Sequence, residues 1–278
     1  MAESNIRVRV PSFEIERSVG GLWNPNLPEL SHTLNAFQLA LPYLEPYFID
    51  AIRRGAEQLE DGRLKADALA FCAQEANHSR QHKRYCMLLR KRYPELERFE
   101  YDIQQSLVTS RQKDPLEWRL AYTAGYEQIT AELARVLFKK QKAWLDGADE
   151  HFAAMMLWHA AEELEHRHVA FDVLSAVTKD YRLRARGLVA AMRKTYADMA
   201  QVVTYMLEVD GYAGRLDSRL RRAKVRLEVG TELVPTLVRY LTPGYHPSKD
   251  RDPPGLAEWH RSYQSGGTTA KVADDPVH

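Results

Sequence analysis

Two cysteines are all that the 278 residues contain, Cys72 and Cys86. Placed on one helix, their fourteen-residue separation amounts to about 21 Å at 1.5 Å rise per residue, which no disulfide spans. They read as buried thiols of a reducing compartment. Net charge is equally scarce: 39 basic residues against 38 acidic ones leave a formal +1, so no global field draws the chain to nucleic acid or to an anionic membrane. No apolar run approaches the ~18 residues of a membrane span, and Met1 to Ser12 contains no apolar core of a secretory signal. The expectation is a cytoplasmic protein without a transmembrane segment or a nucleic-acid partner. Neither a glycine-rich phosphate loop nor a strand ladder stands out. What is present, 45% hydrophobic and 28% charged residues, is the balance of a folded chain long enough to bury a substantial core.

The pattern along the chain is helical, and the fold class it predicts is all-α. Residues 1–30 carry β-branched residues and Pro11, Pro25 and Pro28, and read as an extended arm wrapping a core. Four long helical segments follow at 33–60, 63–93, 114–144 and 149–179, separated by Asp61-Gly62, by the stretch from Pro94 to Pro115, and by Asp146-Gly147. Together they predict a four-helix bundle over 31–180. Segments 183–210 and 215–241 predict an additional helical hairpin over 181–245, packed on the bundle. Its first helix carries Leu188, Met192, Tyr196, Met199, Val203 and Met206 at three- and four-residue steps, and this methionine-rich surface could pair two copies as a homodimer. Residues 246–278 turn to Pro, Gly, Ser and Asp and read as a disordered tail. Pro42 and Pro46 disturb the first segment. Either the helix begins at Pro42 with a kink one turn later, or it is bent throughout.

Chemistry enters through Glu-x-x-His, which occurs at Glu29/His32, Glu75/His78, Glu163/His166 and Glu165/His168. At about 100° per residue, Glu75 and His78 share one face with Ala68, Phe71, Cys72, His82, Cys86 and Leu89. On the fourth segment, Glu163 and His166 share a stripe with Phe152, Met155, His159, Ala170 and Val173, while Glu165 and His168 fall off it. Glu162 lies as close to the His159–His166 line as Glu163 does, so geometry alone does not choose between them; the i, i+3 template picks Glu163. On the third segment Glu127 stands among Leu120, Thr123, Thr130, Ala131 and Ala134. On the first, Glu45 stands among Leu41, Phe48 and Ile52. A lone ionised carboxylate on an apolar face is costly unless it is paired or bound to metal. Two helix pairs each supply a Glu followed by a Glu-x-x-His, with 30 residues from Glu45 to Glu75 and 36 from Glu127 to Glu163. This is the inward-facing ligand set of a ferritin-like dimetal bundle. Glu45, Glu75, His78, Glu127, Glu163 and His166 are therefore the candidate ligands of two iron ions, with manganese or zinc as alternatives. His82 and Glu162 are candidates for a supporting shell, and Thr123, Thr130, Ala131 and Met155 for a substrate surface.

The stretches from Phe71 to His82 and from Trp158 to Asp172 resemble a bacterial family of predicted metal-dependent hydrolases, ferritin-like in fold. The spacing of His159, Glu163 and His166 is also similar to that of the di-iron arylamine N-oxygenases, and that resemblance implies a ligand role for His159. Glu45-Pro46 departs from the Gly-Glu of the pattern. Three functions are consistent with these residues, and the first is the one the carboxylate-rich site favours. The first is a non-haem di-iron oxidase or oxygenase, acting with O2 on a small or acyl-type organic molecule and fed by a ferredoxin or flavin reductase. The second is a hydrolase using a metal-bridging hydroxide, and the third a non-catalytic metal-binding helical protein.

Overall fold

The computed structural model describes residues 4, 6–18, 20–264 and 270–272. In chain order its helices are α1 (Pro28–Ala56), α2 (Gly62–Arg92), α3 (Leu96–Lys113), α4 (Leu116–Trp144), α5 (Glu150–His166), α6 (Val169–Val177), α7 (Tyr181–Val209), α8 (Leu216–Tyr240) and α9 (Leu256–Gln264). Three of them open on an aspartate whose carboxylate accepts from free backbone amides: Asp61 for α2, Asp149 for α5 and Asp180 for α7. Among the described residues the regular structure is helical but for one short ladder, in which β1 (Arg9–Pro11) pairs antiparallel with β2 (Ala270–Val272). Among the described residues no helix is long and apolar enough to cross a membrane.

Several expectations are corrected. The stretch from Pro94 to Pro115 is not a connector but α3, whose Leu96, Phe99, Ile103 and Leu107 are buried at helical spacing. The fourth segment is two helices: α5 stops at His166, and α6 starts again at Val169 after a turn at Arg167-His168. Residues 246–264 are not a disordered tail, because α9 buries Leu256 and Tyr263 against the rest of the protein. The remainder of that expected tail, 265–269 and 273–278, lies outside the described residues.

α1 begins at Pro28, where a missing amide costs nothing, and runs unbroken through Pro42 and Pro46. Each interior proline deprives the carbonyl four residues back of its amide partner. α2 repairs both losses. The Cys86 thiol donates to the Gln38 carbonyl at 3.6 Å, and the Ser79 hydroxyl donates to the Pro42 carbonyl at 3.3 Å. The segment carrying Glu45 thus stays helical.

The N-terminal arm is fastened to the opposite flank of α2. Gln74, Asn77 and Gln81 donate side-chain amides to the carbonyls of Arg7, Arg9 and Pro11, and Arg84 donates its guanidinium to that of Phe13. A helical period near 3.6 on one side thereby meets an extended period of two on the other. This register delivers the Arg9 side chain to the bundle.

α4 and α7 approach closely at Gly125 and Gly187. A Cβ on Gly187 would lie 2.2 Å from the Ala121 carbonyl oxygen, and one on Gly125 would lie 2.6 Å from the Leu188 Cα. Backbone cannot yield as a side chain can. Gly230 on α8 is the opposite case: a Cβ there would meet nothing within 4 Å. Gly187→Ala should therefore destabilise the protein by about 1–3 kcal/mol through overpacking. Gly230→Ala should stabilise it by about 0.5–1 kcal/mol by removing helix-interior glycine entropy. Urea denaturation of the two variants checks the pair of signs.

Candidate metal centre

Four helices bring their carboxylates and imidazoles to one place in the bundle interior. α1 supplies Glu45, α2 supplies Glu75 and His78, α4 supplies Glu127, and α5 supplies His159, Glu163 and His166. They form two groups, Glu45–His78–His159 and Glu75–Glu127–Glu163–His166, and within each group one ligand atom per residue lies within 4.8 Å of every other. All seven side chains are at most 5% exposed.

The groups abut through two carboxylates. Glu163 Oε1 is 3.0 Å from His159 Nε2 and 3.4 Å from His78 Nδ1, while its Oε2 is 3.5 Å from His166 Nε2. Glu75 Oε1 lies 3.4 Å from His78 Nδ1 and 3.2 Å from His166 Nε2. Glu75 and Glu163 thus contact imidazoles of both groups, whereas Glu45 belongs to one group and Glu127 to the other.

The tautomers of two imidazoles are set from behind. His78 is held at Nε2 by Glu162 at 3.0 Å, and Glu162 is in turn held by Arg9 at 3.1 Å. His166 is held at Nδ1 by Gln74 Oε1 at 3.0 Å, and Gln74 donates onward to Glu165. With those nitrogens carrying the protons, the lone pairs of His78 Nδ1 and His166 Nε2 point to the centre. There they have no hydrogen-bond partner, nor do both Glu45 oxygens, Glu75 Oε1, Glu127 Oε2, His159 Nε2 and Glu163 Oε2. Buried polar atoms are rarely left unpaired in native proteins. So many unpaired atoms converging on one point, all of types that bind divalent ions, fit metal. His82, fully buried, has both ring nitrogens unpartnered, with Nε2 3.4 Å from Glu45 Oε1 and its ring 4.4 Å from that of His159.

Electrostatics without metal is strained. Burial, with the charges of Glu163 and Glu75, pushes Glu127 up to about 8, and burial with Glu75 holds Glu45 well above the usual carboxylate range. Burial disfavours a charged Glu163 too, but His166 and His159 outweigh it and hold Glu163 well below that range. Burial opposes charge on His78 and His166 as well, yet the surrounding carboxylates raise both. On His82 and His159 burial wins and both are lowered.

The remaining candidates fall as follows. Glu162 lies outside both groups and supports His78, while Glu165 pairs with Arg9 at 2.6 Å. The Glu29/His32 pair is engaged elsewhere, by Arg221 and Asp210. Thr123, Thr130, Ala131 and Met155 are all buried; the Thr130 hydroxyl donates to the Glu127 carbonyl, and Thr123 Oγ1 is unpartnered. Sequence reasoning missed Arg9 and Gln74. Gln74 is adjacent to Glu75 and one turn from His78, a readable position for a supporting group. Arg9 sits in an arm whose register only the fold reveals. Its guanidinium reaches Glu162 and Glu165, and the α9 rings of Trp259 and Tyr263 lie 5.9 and 5.5 Å away.

Fold and site together define a helical-bundle protein with buried carboxylate–histidine clusters able to bind metal ions. Residues 7–251 match the model of the family described as predicted metal-dependent hydrolase. The chain belongs to that family. No curated protein and no solved structure matches it.

In the metal-free protein Glu127 keeps, when folded, a proton that it gives up when unfolded. Stability should therefore fall as pH rises from the ordinary carboxylate range towards 8, by up to ~1.4 kcal/mol per pH unit. Glu127→Gln should remove this component and raise the urea midpoint of metal-free protein at pH 7.5, yet lower it when divalent metal is present. A variant destabilised to the same extent in both conditions would contradict the assignment.

Proposed function

We propose that this chain is a two-metal enzyme in which Glu45, His78 and His159 would hold one ion and Glu127 and His166 the other, with Glu75 and Glu163, which contact imidazoles of both groups, available to either. The convergence of unpartnered, buried acceptor atoms from four helices carries this reading. Family membership makes hydrolysis the leading interpretation of the reaction. Two divalent ions held there would supply Lewis acidity towards a carbonyl or phosphoryl oxygen and acidify bound water. The protein's own part is positional. Glu162 and Gln74 fix which imidazole nitrogens are available. Phe71 and Trp158 pack their rings 4.7 and 4.8 Å from those of His166 and His78, limiting their rotation and excluding water. The substrate would be an ester, amide or phosphate.

A second reading, dioxygen activation, is favoured by the donor set. Four carboxylates against three imidazoles, enclosed in a helical interior, make a hard, oxygen-rich environment suited to iron. Small molecules such as O2 reach an enclosed site more easily than bulky substrates do. That reading requires an electron donor such as a ferredoxin or flavin reductase, and a small or acyl-type organic substrate.

Anaerobic assays of zinc- and manganese-loaded protein on ester, amide and phosphate panels separate the two, run beside oxygen uptake by reduced iron-loaded protein. Hydrolysis predicts turnover without oxygen, abolished by His166→Ala. Oxygen uptake at full iron loading, with no hydrolysis under any metal, would overturn the leading reading and leave the second.

A further inference from the structure

α7 and α8 leave the turn at Asp210–Arg215 and pack on α1 and α4 rather than on each other. The gap between them is an apolar cavity of about 340 Å³, within the range of small-molecule sites, about 300–1,000 Å³. Phe37 of α1 and Ile129 and Leu133 of α4 are among its lining residues, as are Met199 and Val203 of α7 and Val229 of α8. No acidic residue lines it. Its charged lining residues are Arg222 and Arg226, one turn apart on α8, and neither has an ion-pair partner among the described residues; neighbouring Arg221 is the one that takes Glu29. Burial and the nearby Arg226 charge lower the Arg222 pKa, against the opposing pull of the Glu29 carboxylate.

The cavity is separate from the metal centre. Ile129 and Leu133 lie on the face of α4 turned away from Glu127, since two residues advance a helix by about 200°. None of the seven clustered residues lines it.

We propose that this gap binds a free long-chain carboxylate, with its carboxylate on Arg222 and Arg226 and its aliphatic tail lying along α8 towards Leu237. Eleven residues separate Arg226 from Leu237, about 16 Å of helix axis, so the cavity is elongated as a chain requires. Thr33, Thr195 and Tyr196 also line it, but from Val229 through Leu233 to Leu237 the α8 wall is apolar, where a tail gains from leaving water. A guanidinium pair recognises the head because arginine matches a carboxylate with paired hydrogen bonds. Gly230 lines the same wall, and a side chain there would project into open space.

Titration calorimetry of the full chain with dodecanoate below its micellar concentration tests this. One saturable site per chain is expected. Lengthening the acid by two carbons from octanoate to decanoate should tighten Kd about fifteenfold, at ~0.8 kcal/mol per buried methylene. Dodecan-1-ol and dodecyltrimethylammonium should bind at least about tenfold more weakly, as should dodecanoate to an Arg222→Gln/Arg226→Gln variant. Gly230→Leu should fill the cavity and abolish binding while the far-ultraviolet circular dichroism stays helical. Absence of saturable binding, equal binding of the cationic amphiphile, or unchanged binding in both variants would overturn the proposal. So would a dimer, seen by light scattering, that excludes dodecanoate, since a second copy would then be the occupant. Metal loading enters none of these readouts.

Discussion

Negative charge buried in a helical interior has to be compensated, and in this protein that requirement reaches from the centre of the bundle to its outermost segments. Glu45, Glu75, Glu127 and Glu163 are all nearly inaccessible and face one another. With protons alone the arrangement is poorly matched: Glu127 and Glu45 are driven towards their neutral forms while Glu163 stays charged between two imidazoles. Two divalent cations would reverse this, turning mutual repulsion into shared coordination. A bundle shaped for stability alone would fill the same space with apolar side chains.

The scaffold's irregularities make sense in that light. A helix with two interior prolines is an awkward carrier for Glu45, and α2 compensates by donating from Cys86 and Ser79 to the freed carbonyls. Cys86 therefore does more than pack. The arm, held to α2 by alternate carbonyls, brings Arg9 to Glu162, and Glu162 orients His78. α9 places Trp259 and Tyr263 beside Arg9. Chain ends that look peripheral in sequence thus support an imidazole at the centre.

Helical periodicity made the interior legible. The apolar stripes that contain Glu75/His78, Glu127 and Glu163/His166 are one-dimensional patterns, and the structure brings all of these residues together with Glu45 and His159. The choice between Glu162 and Glu163, undecided by angle alone, turns on contacts: Glu163 faces both groups of ligand atoms, whereas Glu162 turns to Arg9. What could not be read were features without a local period. The break after His166 contains neither proline nor glycine. α3 hides between prolines that look like loop punctuation. α9 is short and surrounded by turn residues, so its burial depends on tertiary contacts with an arm distant in sequence. Arg9 has no signal at all in one dimension.

The most direct test of compensation by cations is anomalous diffraction from crystals of protein loaded with manganese, iron or zinc. Two peaks per chain are predicted, one among Glu45, His78 and His159 and one among Glu75, Glu127, Glu163 and His166. Fully loaded crystals with no anomalous density among these side chains, or with metal only at the protein surface, would contradict it.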